Sequence, residues 1–368
     1  MTGPVLSVTS YRHPDEFPPD ALQFFALAAQ QSMESSAWWY RNLIDTVFSQ
    51  NERVRIYFLR KNGQTVAALP LVASKDAMGY RVEALSNYYT SIYAPLIAEG
   101  VGVPELSALL DAIKRDHPPL ISIKLAPMAS PSAHFTLLHE AMLASGLTPF
   151  GFFCFGNWYL DVKDEWPVYF QNRDGAIRST IKRMSKKFFA IGGSLELILG
   201  GDELERGLAA FEQVYAASWK SAEPFPNFVP GLIRICAAQG CLRLGVAWLK
   251  GEPIAAQLWM VVHGKASIYK LAYDEKYKSF ASGTLLTAML MEQAMAIDRV
   301  KEVDYLIGDD PYKKAWMSHR RERWGVVAYN PKSFGGLMGV AKEMSVRGLK
   351  SVLASVKKLI NMNRTQQN

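Results

Sequence analysis

The chain is poor in cysteine: three in 368 residues, Cys154, Cys236 and Cys241, with no Cys-x-x-Cys spacing. Apolar neighbours and the lack of histidine at ligand spacing make them small buried hydrophobes, so neither a disulfide framework nor a metal site is expected. The six histidines, His13, His117, His134, His139, His263 and His319, are equally scattered. No apolar run approaches the roughly 18 residues that span a bilayer, and Met1 to Leu6 lacks a basic segment followed by an apolar core. The expectation from these absences is a cytoplasmic protein.

Acid is scarce at one end. From Lys332 onward seven basic residues face a single acid, Glu343, so the tail carries +6 of the formal net charge of +7. The body is nearly neutral, and the high pI does not mark a DNA-binding surface. Within the tail, Leu349, Val352, Val356 and Leu359 recur at helical intervals between lysines. That spacing predicts a basic amphipathic helix, suited to packing on its own domain or to peripheral contact with the inner face of a membrane.

With 49% hydrophobic residues, the chain can bury two ordinary cores. The pattern reads as α/β, in two similar parts. A helical stretch precedes a hairpin at Val54–Val72, turning at Asn62-Gly63, and the theme returns as Leu242–Val262, turning at Lys250-Gly251. Strands are expected near Val82–Leu85, Ser91–Ile97, Ile121–Leu125 and Phe152–Val162, and a basic helix over Gly175–Ala190. The expected division is residues 1–150, residues 151–330 and a tail from 331 to 368.

The most informative stretch runs from Tyr273 to Lys314. An aromatic strand leads to Ser282-Gly283-Thr284, a Met- and Leu-rich helix, a short strand, and then Gly308-Asp309-Asp310-Pro311-Tyr312-Lys313. That order places backbone N–H groups, a helix N-terminus and ionisable side chains at one end of a sheet, where an anionic co-substrate and a reacting carbonyl could meet. Taken alone, Ser282-Gly283-Thr284 is also a common helix start, and Asp-Asp-Pro a common solvated turn.

The run Ile268–Asp274, Ser282-Gly283, Val303–Gly308 and Tyr312-Lys313-x-x-Trp316 resembles the CelD-like acetyltransferases of the GNAT superfamily. That family is related to the Fem-type transferases, which build peptidoglycan cross-bridges and hold two GNAT-like halves. Asn87–Leu96 resembles the family as well. The resemblance implies tandem GNAT-like mixed sheets flanked by helices, with the likeness spanning about residues 20–330. It implies acetyl-CoA or another acyl-CoA as co-substrate, without a metal, and a small-molecule amine acceptor such as an amino sugar or a lipid-linked envelope or exopolysaccharide precursor. The phosphate loop of that superfamily reads Gln or Arg, two variable residues, Gly, one variable residue, then Gly or Ala. Lys278-Ser279-Phe280-Ala281-Ser282-Gly283 follows it loosely, with Lys278 leading and Ala281 in place of the first glycine. The donor-binding candidates are therefore Lys278, Ala281, Ser282, Gly283 and Thr284.

Attack on a thioester requires a neutral amine, hence a base, and the departing thiolate needs a proton. Asp304 and the pair Asp309-Asp310 are the carboxylate candidates, and Tyr273 and Tyr312 the proton donors or acceptor-orienting groups. In the Fem-type relatives the lysine of the Phe-Lys or Tyr-Lys motif lies in the transfer site, which makes Lys313 a candidate for oxyanion stabilisation. Arg178, Lys182 and Lys186 share one helical face at i, i+4 and i+8, suited to a phosphorylated acceptor or simply to solvent. Trp219 and the Pro- and Phe-rich segment after it are candidates for lining an acceptor cleft. An aminoacyl-tRNA-dependent transferase and a non-catalytic GNAT-like module are the competing classes.

Overall fold

The computed structural model describes residues 5–51 and 53–348. Strand β1 (Leu6–Tyr11) and helices α1 (Pro19–Ala29) and α2 (Ala37–Val47) lead to the hairpin of β2 (Val54–Lys61) and β3 (Gln64–Asp76). Then follow β4 (Gly79–Ala84), β5 (Leu96–Ile97), α3 (Val103–Asp116), β6 (Leu120–Ala129), α4 (Ala133–Ala144) and β7 (Thr148–Asp161). Next come α5 (Trp166–Gln171), α6 (Gly175–Ala190), β8 (Gly193–Ile198), α7 (Leu204–Ala216) and α8 (Phe228–Ala238). A meander of β9 (Leu242–Leu249), β10 (Glu252–Val262) and β11 (Lys265–Tyr273) precedes α9 (Ser282–Glu292), β12 (Glu302–Asp304), α10 (Pro311–Trp316) and β13 (His319–Tyr329).

The chain folds as two compact units that are not contiguous in sequence. Among the described residues one comprises 5–24, 53–154 and 324–348, the other 25–51 and 155–323. Strands β7 and β13 each begin in one unit and end in the other. The contiguous division at residue 150 therefore needs two amendments: residues 25–51 pack with the later unit, and Trp324 onward with the earlier one.

In the first unit the strand order is β1-β2-β3-β4-β6-β13, with β6 parallel to β4 across the α3 connection. Its core gathers Leu69, Val82 and Ile123 from the strands with Leu109, Leu110 and Leu138 from α3 and α4. The expected strand Ser91–Ile97 shrinks to β5, and Asn87–Pro95 has no regular structure. Residues 334–348 form a helix that lies close to the sheet through small residues. A Cβ on Gly339 would meet the Tyr329 ring at 2.2 Å, and one on Gly335 would meet Ile121 at 3.0 Å. Leu349, Val352, Val356 and Leu359, expected to continue that helix, lie outside the described residues.

In the second unit the order is β7-β12-β11-β10-β9-β8, antiparallel except for the β11–β12 pair. The two hairpins close alike. Asn62 and Gly63, and Lys250 and Gly251, all have positive φ, the geometry of a type I′ turn that matches strand twist. Cross-strand partners share a face. Gly245, Gln257 and Leu271 pair across β9, β10 and β11 and face α9; Leu244, Leu258 and Lys270 pair on the opposite face, where α7 packs.

Helix α9 sits against β9 at a glycine. A Cβ on Gly245 would stand 2.9 Å from Leu290 and 3.0 Å from Leu286, closer than side chains tolerate. Gly245→Val is expected to cost about 1–3 kcal/mol through overpacking, read as a lower urea midpoint at unchanged slope.

Candidate active site

The site grows out of a gap in the second sheet. β11 and β12 pair in parallel only from Lys265–Glu302 to Ser267–Asp304. Beyond Asp304 the chain turns away, with Leu306 at φ 54°, while β11 continues to Tyr273. Among the described residues no strand pairs with residues 268–273 on that side, so this stretch of β11 presents backbone groups at an open edge.

A cavity of about 640 Å³ opens there, entirely within the second unit. Leu271, Ala272 and Tyr273 of β11 form one wall, and Tyr305, Tyr312 and Trp316 another. Its floor is the start of α9, from Ala281 to Thr284, with Lys278 just before it. Tyr273, Lys278, Ala281, Ser282, Gly283, Thr284, Tyr312 and Trp219, dispersed over almost a hundred residues of sequence, thus line one cavity. The Trp219 ring lies 4.6 Å from that of Tyr273.

The chemistry of the floor follows from how α9 begins. Ala281 precedes the helix in the left-handed region, φ 51°, and makes no side-chain cap. It holds the glycine position of the superfamily frame and keeps the conformation glycine adopts readily, at a steric cost of about 1 kcal/mol. The first-turn amides of Ser282, Gly283 and Thr284 have no intrahelical acceptor, and the helix dipole places partial positive charge at that end. Ser282 is 2% exposed, and its Oγ has no hydrogen-bond partner among the described residues. A buried hydroxyl without a partner is costly, and here it lines an anion-favouring helix start. Gly283 keeps the floor low: a Cβ there would only touch Tyr273 at 3.5 Å, whereas a large side chain would enter the cavity.

Gln257 braces this floor from β10. Its Nε2 donates to the Gly283 carbonyl and to Thr287 Oγ1, both at 2.8 Å, and its Oε1 accepts from Trp259 Nε1 at 2.9 Å. Sequence reading passed over Gln257, although one amide in the apolar run Ile254–Val262 was a signal. It also missed Tyr305, whose ring meets that of Tyr312 edge-on at 5.7 Å. Burial raises the hydroxyl pKa of both tyrosines, that of Tyr312 to about 12, with the Asp310 charge adding to the shift. Both remain protonated near neutral pH and can donate.

Three expected catalytic groups lie elsewhere. Asp304 is fully buried as a structural anion: Oδ2 meets Lys265 Nζ at 2.7 Å and Arg321 Nη2, while Oδ1 accepts from Asn157 Nδ2 and the Leu306 amide. Burial opposes its charge, but Lys265 and Arg321 overcome that and hold the carboxyl well below the usual range, which unsuits it as a base. Asp309 accepts from Trp158 Nε1 at 2.6 Å and pairs with Arg320 at 2.8 Å, which lowers its pKa likewise. Lys313 is buried, but its ammonium serves the loop before α10. It bonds the Ile307 carbonyl and pairs with Asp310 at 3.1 Å, and it is not among the residues lining the cavity.

The basic stripe on α6 also differs from expectation. Arg178 and Lys182 are exposed, Arg178 donating to the Arg173 carbonyl, whereas the cavity side of the helix is Ile177 and Thr180. Helical periodicity identified the stripe; which side faced the cavity depended on how α6 docks on α9. Among the described residues no group of His, Cys, Asp or Glu could hold a metal.

An open-edged strand, a helix N-terminus beside it and protonated tyrosines opposite thus meet at one cavity. Residues 175–314 match the family model described as acetyltransferase (GNAT) domain, so the chain carries a GNAT acetyltransferase domain over that span. Among solved structures, FemX aligns over 79% of this chain and 92% of its own at 11% identity and a TM-score of 0.56. L-PGS from Bacillus licheniformis aligns over 89% and 96% at 12% identity and 0.52. A tandem GNAT protein from the clavulanic acid biosynthesis pathway aligns over 88% and 98% at 14% identity and 0.50. At such identities these likenesses speak to the fold. No curated protein matches the chain.

Removing the Asp304 charge leaves the half-buried Lys265 and Arg321 with Glu302 as their remaining acidic partner and is expected to cost about 1–3 kcal/mol. Asp304→Asn should therefore lower the denaturation midpoint sharply. The folded-state pKa is depressed, so this stability is present above about pH 4 and lost as pH falls through the folded value. The gap between wild type and variant, measured by urea unfolding, should narrow in acid.

Proposed function

We propose that this protein is an N-acyltransferase that moves an acyl group, acetyl foremost, from an acyl-CoA to an amine acceptor. The observation that carries the reading is the start of α9 on the cavity, where Ser282, Gly283 and Thr284 line it and the Ser282 hydroxyl is buried without a partner among the described residues. The donor's pyrophosphate fits there: three free amides, the Ser282 hydroxyl and Lys278 supply donors and positive charge. The open edge of β11 suits the amides of the pantetheine arm, which pair as a short strand would. In the transfer, the acceptor nitrogen bonds to the thioester carbon, the C–S bond breaks, and the nitrogen's proton is lost while the thiolate gains one. Tyr312, protonated and lining the cavity, is suited to giving that proton. Tyr273 and Trp219 then form an aromatic rim where the acceptor would meet the donor.

The resemblance to the CelD-like group favours an amino sugar or a lipid-linked precursor as acceptor. One surface feature supports a membrane-side location. The helix over residues 334–348 exposes Phe334, Leu337, Met338 and Met344, residues spaced to share one side, in the segment that carries the chain's excess of basic residues. An apolar stripe flanked by lysine and arginine suits an anionic bilayer. No helix among the described residues is long and apolar enough to cross a membrane.

Isothermal calorimetry with acetyl-CoA is expected to give saturable binding that Gly283→Trp abolishes. Ser282→Ala should weaken it about tenfold, the worth of one hydrogen bond to a charged group, without loss of thermal stability, since no partner is orphaned. Absence of thioester binding would remove this reading and leave charged tRNA as the donor to test. In liposome flotation, Leu337→Asp with Met338→Asp should release the protein from phosphatidylglycerol vesicles; equal flotation of the double variant would end the membrane assignment.

A further inference from the structure

Lys220 stands outside the roles assigned so far. It follows α7, and its ammonium lies against two aromatic faces, 5.5 Å from the centroid of Tyr215 and 5.7 Å from that of Trp219. No hydrogen bond or ion pair of Nζ occurs among the described residues; its backbone amide is held by Ser218 Oγ at 3.4 Å. A half-buried lysine that is cradled by rings but not neutralised is uncommon.

Its position is fixed from several sides. Lys220 lines a second cavity of about 340 Å³, together with Tyr215, Glu212 and Glu223, on the α7 side of the sheet. Lys270 projects to that same face and pairs with Glu223 at 2.7 Å. The neighbouring residue Trp219 lines the donor cavity, so residues 219 and 220 stand between the two cavities. α10 carries Tyr312 on the donor cavity, and the Lys313 and Asp310 charges near its start both act on Lys220. The donor would enter from the α9 face, and the amine of Lys220 waits on the other.

We propose that Lys220 is a self-acylation site: its Nζ takes the acyl group from a thioester held in the donor cavity. The neutral amine attacks the thioester carbon, the C–S bond breaks, the nitrogen sheds one proton, and CoA leaves as the thiol. The resulting amide is uncharged and bulkier and fills part of the smaller cavity. The charges around it keep the amine reactive. Burial and the nearby Lys270 lower its pKa to about 8, Lys313 in the same direction and Glu223 and Asp310 against it. A useful fraction is therefore neutral at physiological pH.

The inference rests on the acyl-CoA reading above, and the test separates the two. Full-length protein is incubated with acetyl-CoA across about pH 7 to 9, digested, and the peptides quantified by mass spectrometry, with acetyl-CoA binding measured by calorimetry on the same samples. Lys220 should gain one acetyl group far faster than Lys250 in its exposed turn, with a rate rising about tenfold over that range. In Gly283→Trp, with the donor cavity filled, the preference for Lys220 should vanish. Donor binding with Lys220 acylated no faster than Lys250, or equal labelling in Gly283→Trp, overturns the proposal and leaves the donor assignment intact. Failure to bind acetyl-CoA at all removes the donor assignment and this inference with it.

Discussion

The carboxylate of Asp304 is buried beyond the reach of bulk water, and its negative charge survives there because Lys265, Arg321, Asn157 and the Leu306 amide converge on it. Those contacts do more than satisfy an ion. Lys265 belongs to β11 and Arg321 to β13, so one carboxylate ties three strands together where the β11–β12 ladder stops. Binding the Leu306 amide with its own side chain, Asp304 also helps turn the chain away from β11, while Tyr305 still donates to the Trp158 carbonyl on β7. Without that bend β12 would continue beside β11 and fill the gap, and the cavity between them would not exist. A buried ion cluster is a poor source of net stability but a good source of geometric definition, and here the definition is the mouth of the site.

The other half of the site depends on close packing of α9. Gly245 lets the helix approach β9, and Gln257 reaches from β10 to its first-turn carbonyl, so its N-terminus is held by one strand's missing side chain and the next strand's amide. With the helix held there, its first turn lines the cavity in advance of any ligand. Such preorganisation reduces the ordering cost that binding would otherwise carry. The two faces of the sheet then divide the work: α9 and the anion-favouring helix start on one, α7, Lys220 and Lys270 on the other, with the β11–β12 gap between them.

Much of the fold was legible because it rests on local rules. Asn62-Gly63 and Lys250-Gly251 announced hairpins through the positive φ that type I′ turns need, and both form. The start of α9 after Ala281 was legible from the small residues that follow the aromatic strand, as was its closeness to Tyr273. Where reading went astray, long-range partners decided. Asp304 and Asp309 were candidate bases from their place on and just beyond the strand after α9, yet their partners Lys265, Arg320 and Arg321 come from β11 and β13. The stripe of Arg178 and Lys182 was correctly periodic, but a period does not say which face of a helix meets its neighbour.

What the sequence by itself determined is the vocabulary: alternating strands and helices, the turns, a helix start rich in small residues, and the tyrosines and carboxylates available for chemistry. These follow from backbone stereochemistry and hydrophobic period, which act over a few residues. Tertiary structure decided which of those groups are spent on holding the chain and which remain for a ligand. Asp304, Asp309 and Lys313 are consumed by partners, while Ser282, Tyr312 and Lys220 are left facing cavities. That choice is a matter of burial and of charges brought within a few ångströms from distant positions, and it exists only once the strands are paired.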